Sequence, residues 1–129
     1  KSYPQTQFYI EPGRSVCADT MILVSSVIDI KTYKNPPILV VDTGVFNGLI
    51  EPLEHLELPV YVDNHVDMPS KPFKIVGFSC EGYDVLNQQV LLPKTMAVGD
   101  QIVFMRAGAY SKVYEKFHMV AYPDIIKAK

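Results

Sequence analysis

The sequence holds only two cysteines, Cys17 and Cys80, too far apart for a CxxC redox or metal pair and too few for a disulfide framework. A single bridge between them stays open. Its three histidines, His55, His65 and His118, show no metal-ligand spacing, so no metal is expected. His55 and His65 read as structural, and His118 stays open. Positive charge is not in excess: 12 Lys and Arg against 14 Asp and Glu leave a net charge of −2. A phosphate-backbone binder needs a basic patch, and the lack of one argues against nucleic acid as a partner. The longest apolar runs, residues 21–24 and 38–41, fall far short of the roughly 20 residues of a spanning helix, so no membrane partner is expected. No secretory leader opens the chain, and a cytoplasmic setting is expected. An initiator Met is missing too, and the chain opens on a strand-like segment, so it reads as a fragment.

What the chain does hold is the apolar share of a core, 48% hydrophobic against 20% charged, in a length that suits one domain. Gly and Pro recur at short intervals, and β-branched and aromatic stretches lie between them. Residues 8–11 read as a short strand stopped by the Pro12-Gly13 turn. Residues 16–31 read as one long or bent strand and 38–43 as a buried one. Residues 59–63, 73–78, 88–92 and 101–106 follow as further short strands. No segment sustains a helical apolar period. Residues 49–58 have room for a turn or two of helix, limited by Pro52 and Pro59, and 84–88 for a short helical turn. The pattern predicts an all-β domain of about seven strands, barrel or sandwich.

Four segments in order are Glu11-Pro12-Gly13-Arg14, Asp42-Thr43-Gly44, Gly77-Phe78-Ser79-Cys80-Glu81 and Gly108-Ala109-Tyr110, with Val98-Gly99-Asp100 ahead of the last. Together they resemble the decarboxylases of ornithine, arginine, lysine and diaminopimelate that share the alanine-racemase-like fold (fold type III). Order and spacing agree over nearly the whole chain. The resemblance implies a Greek-key β-barrel domain that closes, from the partner subunit of a homodimer, over a (β/α)8 barrel holding pyridoxal 5′-phosphate. It assigns residues 1–14 to the last strand and Glu-Pro-Gly-Arg end of that cofactor barrel, and 15–129 to the β-domain. The family's covalent cofactor lysine and glycine-rich phosphate loop lie upstream, and neither is in this sequence.

Decarboxylation leaves negative charge at the substrate Cα, which the cofactor ring must absorb. Glu11 sits where the family places a carboxylate against the ring nitrogen. Related racemases use an arginine there, so a glutamate argues for decarboxylation. Gly13 offers a backbone amide to the cofactor phosphate, Arg14 adds charge-assisted hydrogen bonds, and Tyr110 resembles the tyrosine whose hydroxyl holds the same group. Cys80 matches the cysteine that protonates Cα from across the dimer. Glu81, beside it, would pair with the distal ammonium of an amino-acid substrate, since that charge is costly to desolvate alone. Asp84 reads as a turn or cap residue.

Departures from the family pattern bear on the substrate. Diaminopimelate decarboxylases carry an Ile-Arg-Pro arginine for the distal carboxylate, and here Ile50-Glu51-Pro52 puts an acid in its place, which argues against diaminopimelate. Thr43 precedes Gly44 where ornithine-type enzymes have Asp. An aromatic-Asn pair expected after Gly-Ala-Tyr is represented by Phe117-His118. Relatives in siderophore and antibiotic pathways depart in similar ways. The expectation is therefore a part of a decarboxylase, inactive alone, acting on a diamino acid or such a relative's substrate. A non-catalytic regulatory homologue and a free-standing β interaction module remain as alternatives.

Overall fold

The computed structural model describes residues 3–63, 68–111 and 121–128; His65, Phe117 and His118 lie outside them. Among the described residues six strands form one sheet: β1 (Leu23–Lys31), β2 (Ile38–Val41), β3 (Val60–Tyr61), β4 (Ser70–Val76), β5 (Val85–Pro93) and β6 (Gln101–Phe104). Their order is β3-β6-β1-β2-β4-β5. Every neighbouring pair is antiparallel except β2 and β4, which run parallel.

β1 joins the two halves of the sheet. Residues 23–26 pair with β6 and the remainder with β2, across a bulge between Val27 and Asp29. A bulge bends a strand and increases its twist, which lets one strand serve two partners. Before it, Leu23, Ser25 and Val27 alternate inward; just after it Ile28 and Asp29 both face outward.

The outer strand β5 also meets the segment that leads into β3. In β5 the Asn87 amide donates to the Leu58 carbonyl at 3.5 Å and the Gln88 N–H donates to Glu57 Oε1 at 2.8 Å, and residues 57–58 lead into β3. The sheet is thereby nearly closed and barrel-like, which covers edges that would otherwise leave backbone groups unpaired. Val27, Leu39, Val41, Phe73, Ile75, Leu86, Ile102 and Phe104 fill its interior. Full burial of a side chain of this size contributes about 1.5–3 kcal/mol.

Three local expectations are corrected. Residues 8–11 belong to no strand; Phe8, Tyr9 and Ile10 stand exposed, and extended backbone forms a ladder only against a partner strand. The segment 16–31 is a strand only from Leu23. Its start is helical, with α1 (Arg14–Cys17) running into a 3-10 turn, Ala18–Thr20, because local hydrogen bonds and docking on a distant loop override β propensity. Residues 84–88 are not helical: Val85 pairs with Val76, and β5 begins there. The expected helix within 49–58 is a single 3-10 turn, Glu51–Glu54, ended by His55 in a left-handed conformation. His55 is thus a cap residue.

Candidate active site

Gly13 starts the first site-bearing corner. Its carbonyl accepts the N–H of Val16 at 3.0 Å and of Cys17 at 3.2 Å, which winds α1, and the Thr20 hydroxyl donates to the Cys17 carbonyl at 2.6 Å. This turn docks on the loop after β6: the N–H of Gly108 donates to Ala18 O and that of Ala107 to Met21 O, each at 3.0 Å. A side chain at position 108 would collide with the Cys17 carbonyl, so only glycine lets the two backbones approach. That approach delivers Arg14 and Gly13 to Tyr110. The Arg14 guanidinium carbon lies 5.3 Å from the Tyr110 ring centroid, a cation–π distance. A Cβ on Gly13 would stand 3.4 Å from the Tyr110 hydroxyl. Tyr110 itself is in the left-handed region, φ 57°, and remains largely exposed.

Arg14 has a second partner that sequence reasoning did not pair with it. Its Nη1 donates to Glu51 Oε1, and its Nη2 lies 3.9 Å from Glu54 Oε2. Glu51 is 1% exposed, whereas Arg14 is 33% and Glu54 75%. A carboxylate so deeply buried needs a counter-charge. The other oxygen of Glu51, Oε2, is buried without a hydrogen-bond partner. The acid that replaces the arginine of Ile-Arg-Pro is therefore an internal partner of Arg14.

The second corner is the turn between β4 and β5. Its ends are tied by the Gly77 N–H to the Asp84 carbonyl at 2.9 Å and the Asp84 N–H to the Glu81 carbonyl at 3.0 Å. Cys80 sits at its tip with φ 62°, an exposed free thiol whose Sγ is 3.8 Å from the Phe78 carbonyl. Glu81 is exposed beside it, its N–H donating to Ser79 Oγ at 3.3 Å. Cys17 is also a free thiol, so no disulfide joins the pair. Glu11 is exposed two residues before Gly13. Asp84, read from the sequence as a turn or cap residue, is 2% exposed and accepts hydrogen bonds from this turn and from the β2 exit. Gly77 and Gly44, flanking it without side chains, were the available signal.

Gly13, Arg14 and Tyr110 thus meet in one corner, and Cys80 and Glu81 in another. The first offers what a phosphate ester needs: a backbone amide with no Cβ over it, a partly exposed guanidinium and an exposed hydroxyl. The residues present fit pyridoxal phosphate. No cluster of His, Cys, Asp or Glu among the described residues could hold a metal ion, and no described helix is long and apolar enough to cross a membrane.

Residues 15–108 match the family described as the pyridoxal-dependent decarboxylase C-terminal sheet domain. The chain belongs to this family. The decarboxylase sheet domain is 41% identical over 110 residues to the diaminopimelate decarboxylase of Archaeoglobus fulgidus, covering 83% of this chain and 25% of that protein. It is 32% identical over 114 residues to the lysine/ornithine decarboxylase of Selenomonas ruminantium, covering 86% of this chain and 28% of the relative. The solved diaminopimelate decarboxylase of Helicobacter pylori, complexed with L-lysine, superposes with a TM-score of 0.74 at 29% identity, over 87% of this chain and 28% of that one. The sheet domain spans little more than a quarter of the curated relatives' length.

Proposed function

We propose that these residues form the C-terminal part of a pyridoxal-phosphate-dependent amino-acid decarboxylase, lending two corners to an active site completed by a (β/α)8 cofactor barrel. The observation that carries this reading is the convergence of Gly13 and Arg14 with Tyr110, which only the fold brings together. Bound pyridoxal phosphate would supply a sink for the electrons left at the substrate Cα when CO2 departs. The Gly13 N–H, the Arg14 guanidinium and the Tyr110 hydroxyl would hold its phosphate, and the Glu11 carboxylate would keep the proton on its ring nitrogen. Cys80 donates the proton that replaces CO2 at Cα, and the exposed Glu81 accepts hydrogen bonds from the substrate's distal amine. The covalent lysine belongs to the cofactor barrel, so these 129 residues alone do not turn over substrate. Each site draws Glu11, Arg14 and Tyr110 from one subunit of a homodimer and Cys80 with Glu81 from the other. The setting is cytoplasmic.

The substrate follows from charge. Position 51 carries an acid, buried and engaged by Arg14, so no cation stands there to meet a distal carboxylate. An amino acid with a cationic or polar far end, such as lysine, ornithine or a siderophore- or antibiotic-pathway counterpart, suits this site better than diaminopimelate. The test is charge reversal in the complete enzyme. Glu81→Lys should raise KM for lysine about tenfold or more while changing KM for a neutral amino acid of similar length far less. Equal effects on both would remove Glu81 from substrate recognition.

A further inference from the structure

The turn that carries Cys80 is built around a buried acid that performs none of the chemistry described above. Asp84 Oδ1 accepts the Val45 N–H at 2.9 Å, and its Oδ2 accepts the Ser79 N–H at 3.1 Å and the Ser79 hydroxyl at 2.6 Å. One carboxylate therefore ties the segment leaving β2 to the residue next to Cys80. Ser79 Oγ in turn accepts the Glu81 N–H, so the network flanks the thiol on both sides. Gly44 and Gly77 lie against the carboxylate so closely that a Cβ at either would overlap its oxygens. Cys80 holds a left-handed backbone that costs a non-glycine residue free energy, and such a conformation persists only where its surroundings impose it.

We infer that Asp84 is a positioning residue: by accepting the Val45 and Ser79 backbone donors it fixes the left-handed turn that aims Cys80 into the site. The inference rests on the reading of Cys80 as the proton donor. An acid is required because three donors converge on two oxygens. An asparagine of the same shape would turn an NH2 group towards donors on one side and leave a backbone N–H unsatisfied. A glutamate would add a methylene where the carboxylate already lies against Gly44 and Gly77.

The test has two arms. In the 129-residue chain, Asp84→Asn should speed hydrogen exchange of the Val45 or the Ser79 amide, whichever its NH2 group faces, about tenfold or more, with the paired amides of β1 and β2 unchanged. Unchanged exchange at Val45 and Ser79 would overturn the inference. In the holoenzyme with lysine as substrate, Asp84→Asn should lower kcat about tenfold or more in the parent and less than about twofold in a Cys80→Ala background, because both changes disable one function. Full additivity would show that Asp84 acts otherwise than through Cys80. If Asp84→Asn does not fold, Ser79→Ala removes a single donor and carries the same cycle with a smaller loss. Parental kcat in Cys80→Ala would overturn the proton-donor reading, and the exchange arm tells that failure apart from failure of the inference about Asp84.

Discussion

The two corners of this domain each bury a carboxylate and satisfy it differently. Glu51 is met by the Arg14 side chain, from a segment distant in sequence, and one of its oxygens is left without a partner. Asp84 is met by two backbone amides and a hydroxyl, all on turns that neighbour it in space. A carboxylate held by an arginine makes a corner whose integrity depends on charge. A carboxylate held by backbone donors makes one whose integrity depends on conformation. The first arrangement would suit a guanidinium that also binds a phosphate, as proposed for Arg14, and the second a thiol that must point in one direction, as proposed for Cys80.

The largest effect tests whether the corners serve one site from one subunit or from two. In the complete enzyme Glu11→Ala and Cys80→Ala should each abolish nearly all activity as pure homodimers. Refolded together, about half the dimers are mixed and hold one intact site of two, so recovered activity should approach roughly a quarter of the parent. Mixed dimers confirmed by mass but without activity would put both corners in one subunit's site.

Next is the asymmetry of the Arg14–Glu51 pair. Removing the partly exposed arginine strands a buried charge, so Arg14→Ala should destabilise the chain by about 3–5 kcal/mol. Glu51→Gln leaves the arginine free to turn to water and should cost only about 1–3 kcal/mol. Urea denaturation of both variants measures the difference; equal losses would mean the pair is not what holds this corner.

Gly108→Ala probes the docking that creates the corner. Its Cβ would press on the Cys17 and Ala18 carbonyls, and the resulting shift should cost about 1–3 kcal/mol. The same shift should weaken pyridoxal phosphate binding in the complete enzyme, read by equilibrium dialysis, while Cys80 alkylation by iodoacetamide stays at the parental rate. A change in the thiol rate would show that the two corners are mechanically coupled.

The smallest effect is at Glu54, 75% exposed and 3.9 Å from Arg14 Nη2. Glu54→Gln should move stability by less than about 1 kcal/mol, as exposed pairs do. A larger shift in thermal melting would make Glu54, and not only Glu51, part of the charge that holds Arg14.

The strands were legible in the sequence wherever an apolar, β-branched stretch ran between turn residues, as in β2, β4, β5 and β6, because that pattern matches a surface buried on one face. Glu-Pro-Gly-Arg, the Cys80-Glu81 pair and Gly-Ala-Tyr were legible as residue strings whose order carried the family. Contacts between distant segments were not. The same Val- and Ile-rich composition that predicts a strand from residue 16 gives a helical turn there, since its backbone docks at Gly108. Nothing near Glu51 names Arg14 as its partner, and nothing near Asp84 names Val45, because such pairing is set by where the sheet carries each segment. The local sequence determined which charged and reactive groups the chain holds. The curvature of the sheet decided which groups share a corner, because burying a charge is tolerable only where the fold also brings its partner.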